Sequence, residues 1–121
     1  WLEALGTVVE LEEERIDAFT AIAGSGPAYA FLFIESLARA AKELGFDADD
    51  ADAMALGVAR GAAELVSDSG RDAHTLRAEV TSPGGCTEAA IAVLESGRWS
   101  ETLDAAVQAA IERADQLSRT K

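Results

Sequence analysis

Residues 28–34 read Ala-Tyr-Ala-Phe-Leu-Phe-Ile, an unbroken apolar run directly after Gly24-Ser25-Gly26-Pro27. A helix from Pro27 to Leu44 carries that run around every face of nearly two turns. A helix that is apolar all round has to be buried all round. A chain of 121 residues has difficulty surrounding a central helix with its own surface. Part of the cover is therefore expected from a second chain.

The rest of the sequence divides at its caps and glycines. Thr7-Val8-Val9-Glu10-Leu11 is short and β-branched, the one segment with strand character. One strand makes no sheet, so it is expected to complete a sheet elsewhere. The chain opens on Trp1 rather than Met and reads as a piece of something longer. Glu12-Glu13-Glu14 puts negative charge at the start of a helix through about Ala23, where the helix dipole favours it. Ser25 or Gly26 is placed to cap the next helix, with Pro27 in its first turn. Gly45 is expected to end that helix in the left-handed conformation, with Phe46 beyond it. Asp47 then caps a helix to about Ser69, before Gly70. Its interior Gly57 and Gly61 lower helix stability, which the close approach of a neighbouring helix would offset. Asp72 opens a short helix to about Val80, another runs from about Thr87 to Glu95 before Gly97, and Ser100 caps the last. Leu103, Val107, Ala110, Ala114 and Leu117 form that last helix's stripe. The expected fold class is all-α, a single helical domain of about six helices over 13–121, with residues 1–12 left over from a preceding domain.

Ten basic and twenty-two acidic side chains give a net charge of −12. Such a surface repels nucleic-acid phosphates and anionic lipid, so neither is an expected partner. No apolar run is long enough to suggest a membrane span. Cys86 is alone, which excludes an intramolecular disulfide and a multi-cysteine zinc site and makes a reducing cytoplasm the expected compartment. His74 is the only histidine, and the acidic runs 12–14 and 47–52 fit helix starts better than converging ligands, so no metal is expected.

Composition does not account for Ser82-Pro83-Gly84-Gly85-Cys86-Thr87. Two glycines ahead of a helix allow a tight fold that exposes consecutive N–H groups at the positive end of the dipole. That is a cradle for a carboxylate or phosphate without Arg or Lys. The hydroxyls of Thr81, Ser82 and Thr87 stand beside it. The same residues also suit a plain helix-to-helix turn with a threonine cap. Cys86 at a helix start has the setting of an activated thiol, but no base accompanies it, and a loop-filling role is the simpler reading. Gly24-Ser25-Gly26 lacks the third glycine and the preceding strand of a dinucleotide fingerprint.

Two blocks carry a family resemblance. Ala23-Gly24-Ser25-Gly26-Pro27-Ala28-Tyr29 with Phe31-Leu32-Phe33-Ile34-Glu35-Ser36-Leu37 resembles the start of the C-terminal domain of pyrroline-5-carboxylate reductases. Val80-Thr81-Ser82-Pro83-Gly84-Gly85-Cys86-Thr87, followed by Val93-Leu94-Glu95-Ser96-Gly97, resembles that family's signature segment, in register with the first block. The resemblance implies reduction of 1-pyrroline-5-carboxylate to L-proline with NADPH or NADH. The dinucleotide would be bound mainly by an N-terminal Rossmann domain, of which residues 1–12 would be a remnant. It also implies an intertwined homodimer that can assemble into a decamer. Carried over, Ser82, Gly84, Gly85, Cys86 and Thr87 bind the substrate, with the amides of Gly85, Cys86 and Thr87 on its carboxylate. The Thr87 hydroxyl meets the ring nitrogen and is the catalytic candidate. Glu13 falls at a substrate-proximal acidic position and Glu79 beside the cofactor edge. The sequence departs from the family pattern at Cys86, usually Thr or Ala, at Asp72-Ala73, often His-Pro, and at Ala78, commonly Asp.

The implied chemistry suits these residues. A pyrroline nitrogen can be protonated before binding, so the protein needs to supply orientation rather than a dedicated acid. A neutral amide cradle holds a carboxylate without placing a full positive charge beside an iminium. The rival readings are a non-catalytic helical oligomerisation module, and the helical domain of another NAD(P)-dependent reductase. The second would call for a catalytic lysine, yet the only lysines are Lys42 and Lys121.

Overall fold

The structure is a computed structural model that describes residues 8–119. Trp1, Thr7 and Lys121 lie outside the described residues. All regular structure within them is helical, as expected of an all-α chain. The first helical segment changes its winding twice: a 3-10 turn Glu13–Arg15, α1 Ile16–Phe19, and a π turn Thr20–Gly24. Five helices follow: α2 Gly26–Glu43, α3 Ala48–Ser69, α4 Ala73–Glu79, α5 Cys86–Ser96 and α6 Trp99–Ser118.

The ends of α2, α3 and α4 follow their local chemistry. After α2 the Gly45 amide donates to the Lys42 carbonyl at 3.0 Å and the Phe46 amide to the Ala41 carbonyl at 3.2 Å. With Gly45 at φ 96°, this is the Schellman closure that satisfies the last carbonyls. The Asp47 carboxylate accepts from the Asp50 amide at 2.9 Å, and α3 stops at left-handed Gly70, φ 63°. Lys42 and Asp52 pair at 2.7 Å across the turn from α2 to α3.

Three local expectations are corrected. Residues 8–12 form no strand, because a strand exists only against a partner. Ser100 lies inside α6 rather than capping it. The left-handed residue before α6 is Arg98, φ 57°, while Gly97 keeps φ −75°. A Cβ built on Gly57 or Gly61 would meet nothing within 4 Å, so among the described residues none packs against α3 at these two glycines.

The junction at Gly24–Pro27 is also less of a break than the sequence suggests. Ser25 keeps helical angles, φ −89° and ψ −21°, and its amide donates to the Thr20 carbonyl at 3.0 Å. Taken through this junction, Glu13–Glu43 is a 31-residue helical stretch containing an 18-residue window of mean hydropathy 1.2, long and apolar enough by those measures to cross a membrane. With the run cut at Gly24, the sequence offers no such stretch; the continuous winding through Ser25 supplies it. A helix destined for a buried protein interface has the same composition.

The described residues divide into two compact units, one made of Ala28–Glu101, the other of those through Pro27 with those from Thr102 onward. In the first the buried side chains are Ala38, Ala41, Ala51, Ala55 and Leu76, and in the second Ala21. The large apolar residues are outside: Phe31 is 67% exposed, Leu32 62% and Val93 69%. The all-apolar run is thus uncovered within its own unit. On α6 the less exposed positions include Val107, Ala110 and Ala114, while Leu103 and Leu117 at the ends of the expected stripe are exposed.

Candidate functional site

The Ser82–Thr87 loop lies wholly within the Ala28–Glu101 unit, between α4 and α5. Asp72 fixes the start of α4. Its carboxylate accepts from the Thr75 amide at 2.9 Å and from the Thr75 hydroxyl at 2.7 Å. The hydroxyl bond first, and then the amide bond, hold the Asp72 carboxyl below its ordinary value. At the far end of α4, Glu79 pairs with Arg71. Arg77 faces Glu95 of α5 at 3.5 Å, both half-exposed. Thr81 then turns the chain, with its hydroxyl donating to the Arg77 carbonyl at 2.7 Å.

The loop is a type II turn. Pro83 occupies its second position, where the ring presets φ, and Gly84 its third, with φ 72°. The Gly85 amide closes the turn on the Ser82 carbonyl at 2.9 Å. The two glycines serve different needs. Gly84 needs the left-handed region, whereas a Cβ on Gly85 would sit 2.9 Å from the Ser82 carbonyl oxygen.

Gly85 is the N-cap of α5, with φ −86°, ψ 170° and no side-chain cap. A helix start leaves its first amides without intrahelical partners. Two of the neighbouring amides are already engaged: Gly85 with Ser82, and Gly84 with the Glu88 carboxylate at 2.8 Å. Among the described residues nothing engages the amides of Cys86, Thr87 and Glu88, which are left to face a ligand. Expecting the Gly85 amide to hold a carboxylate is therefore corrected, because that N–H closes the turn. The Gly84 amide is likewise held inside the loop.

Ser82, Gly84, Gly85, Cys86 and Thr87 are brought together in one turn. Thr87 and Cys86 are exposed in the first turn of α5, and the Thr87 hydroxyl makes no hydrogen bond among the described residues. Glu79 stands one turn upstream, engaged with Arg71. Glu13 belongs to the other compact unit, where it opens the 3-10 turn. A cleft of about 250 Å³ lies between α4 and α5, lined by Arg77, Ala78 and Thr81 on one side and Glu88, Ile91 and Glu95 on the other. Glu88 was missed in the sequence. The spacing Gly85-Cys86-Thr87-Glu88, an N-cap followed three residues later by Glu, was the signal that pointed to it.

Gly24-Ser25-Gly26 does not have the setting of a dinucleotide fingerprint. Gly24-Ser25-Gly26 sits between two helical stretches, with Ser25 itself helical, and no strand precedes it. The loop before α5 offers an anion three amides and a hydroxyl with no cationic side chain among its own residues.

Fold and loop together define an all-α domain with exposed apolar helix faces and a glycine turn at the start of α5. The family model for pyrroline-5-carboxylate reductase dimerisation matches residues 13–117, and the chain belongs to that family. It is 39% identical over 116 residues to pyrroline-5-carboxylate reductase 2 of Bacillus subtilis, covering 96% of this chain and 42% of that protein. It is 41% identical over 117 residues to the Arabidopsis thaliana pyrroline-5-carboxylate reductase, covering 97% and 42%. The solved structure of a pyrroline-5-carboxylate reductase from Coxiella burnetii superposes with TM-score 0.91 at 41% identity, over 96% of this chain and 43% of that one. A Plasmodium falciparum pyrroline carboxylate reductase, solved with NADP bound, superposes with TM-score 0.84 at 36% identity, over 89% and 41%. The chain thus spans about two-fifths of the length of these relatives.

Proposed function

We propose that this chain is the dimerisation and substrate-binding part of an enzyme that reduces 1-pyrroline-5-carboxylate to L-proline, with NADPH or NADH as hydride donor. The reading puts the dinucleotide on another part of the full-length protein, joined near residues 12–13, and makes the whole a cytoplasmic homodimer or a decamer assembled from such dimers. The observation that carries it is the start of α5, where the free amides of Cys86 and Thr87 lie beside the unengaged Thr87 hydroxyl.

In this reading the amides of Cys86, Thr87 and Glu88 bind the substrate carboxylate at the positive end of α5. The Thr87 hydroxyl accepts from or donates to the ring nitrogen and fixes which ring face is presented. Ser82 shapes the turn through its carbonyl. Glu13 is proposed to approach the substrate and Glu79 the cofactor edge. Released from its contact with Arg71, the Glu79 carboxylate would be the group to do so. The exposed apolar run 28–34 is assigned to the partner protomer.

Titration of L-proline into the isotope-labelled full-length protein tests the reading. The Cys86 and Thr87 amide resonances shift on binding, and Thr87→Ala lowers kcat/KM for pyrroline-5-carboxylate by about 10- to 100-fold, the loss of a hydrogen bond to a reacting group. Unmoved resonances and no turnover by the unaltered protein identify a non-catalytic oligomerisation module instead, and turnover that Thr87→Ala leaves unchanged removes Thr87 from the site.

A further inference from the structure

Among the described residues, Glu88 is the one side chain that ties the turn to the helix after it. At an ordinary helix start, a carboxylate three residues after the N-cap bonds back to the N-cap amide. Here the Ser82 carbonyl already holds that amide, on Gly85, at 2.9 Å. The Glu88 carboxylate reaches one residue further and takes the Gly84 amide at 2.8 Å.

That amide belongs to the Pro83–Gly84 peptide, the central peptide of the turn. Type I and type II turns differ chiefly by a flip of this one unit, and glycine at the third position tolerates both. Its orientation matters at this place. With Gly84 at φ 72° the N–H faces the Glu88 carboxylate on α5. After a flip, the Pro83 carbonyl oxygen would take that side, adding a partial negative charge next to amides meant for an anion.

We infer that Glu88 is a positioning residue of the substrate loop: its carboxylate holds the Pro83–Gly84 peptide in the type II orientation and so keeps a carbonyl oxygen away from the free amides of Cys86 and Thr87. The inference rests on the reductase reading above. Glu88 is exposed, so it acts on the loop and carries little of the fold.

The test is steady-state kinetics of the full-length enzyme with Glu88→Ala and Glu88→Gln, with pyrroline-5-carboxylate and dinucleotide varied separately. Glu88→Ala removes the acceptor and raises KM for pyrroline-5-carboxylate about tenfold, the scale of a hydrogen bond to a charged group. Its kcat and dinucleotide KM stay within about twofold. Glu88→Gln keeps an acceptor oxygen and restores the substrate KM to within about threefold. A purely structural role would move both Michaelis constants and the melting temperature together. An active wild type whose substrate KM is unchanged by Glu88→Ala, or whose two Michaelis constants rise in parallel, overturns the role of Glu88 alone. A wild type that does not reduce pyrroline-5-carboxylate overturns the reductase reading, and this inference with it.

Discussion

At the scale of single residues, the helix caps show how short-range chemistry fixes geometry. Asp72 caps α4 with both oxygens, one on the Thr75 amide and one on its hydroxyl. These bonds depress its carboxyl below the ordinary 3.8. A depressed folded-state value means the cap's contribution is complete above the unfolded value and is lost as pH falls through the folded one. Amide exchange at Thr75 should therefore show full protection above about pH 4 and lose it below, and Asp72→Asn, which caps without titrating, should flatten that dependence. Protection independent of pH in the unaltered chain would contradict the assignment. Such caps were legible because each bond spans three residues. The bonds inside the Ser82–Thr87 loop were only half legible. Proline and two glycines announce a turn, but which amides the turn consumes depends on a carbonyl and a carboxylate whose aim no residue type specifies.

Among the elements, the junction between α5 and α6 departs furthest from what the residues suggest. Gly97 is built for the left-handed conformation, yet Arg98 adopts it at φ 57°. An L-residue with a Cβ is strained there by about 1 kcal/mol. Arg98→Gly should thus raise the free energy of unfolding by about that amount in chemical denaturation, since its contact with Glu101 at 3.6 Å is exposed and contributes little. No change, or a loss, would mean the left-handed residue is held by something beyond its backbone. The elements the sequence placed well, α2 to α4, are bounded by Gly45, Asp47, Gly70 and Asp72, residues that act on their own neighbours. Two of the failures share one cause. The strand at residues 7–11 and the close approach at Gly57 and Gly61 both require a second surface, and one chain's sequence does not say where that surface comes from.

For the whole molecule, the core is the telling feature. Among the described residues the buried side chains are five alanines and Leu76, with no aromatic or large aliphatic side chain beyond that leucine. Burial of about 25 cal/mol per Å² of apolar surface is the main favourable term in folding, and here much of that surface faces outward along α2, α3 and α5. The membership in a dimerisation family suits those faces, and the proposed dimer assigns to two copies the core that one lacks. The most direct test is light scattering and circular dichroism on this chain as it is diluted. The account predicts a particle of at least two chains, with helicity lost as it dissociates. A monomer that stays fully helical and melts cooperatively at the lowest concentration would contradict it.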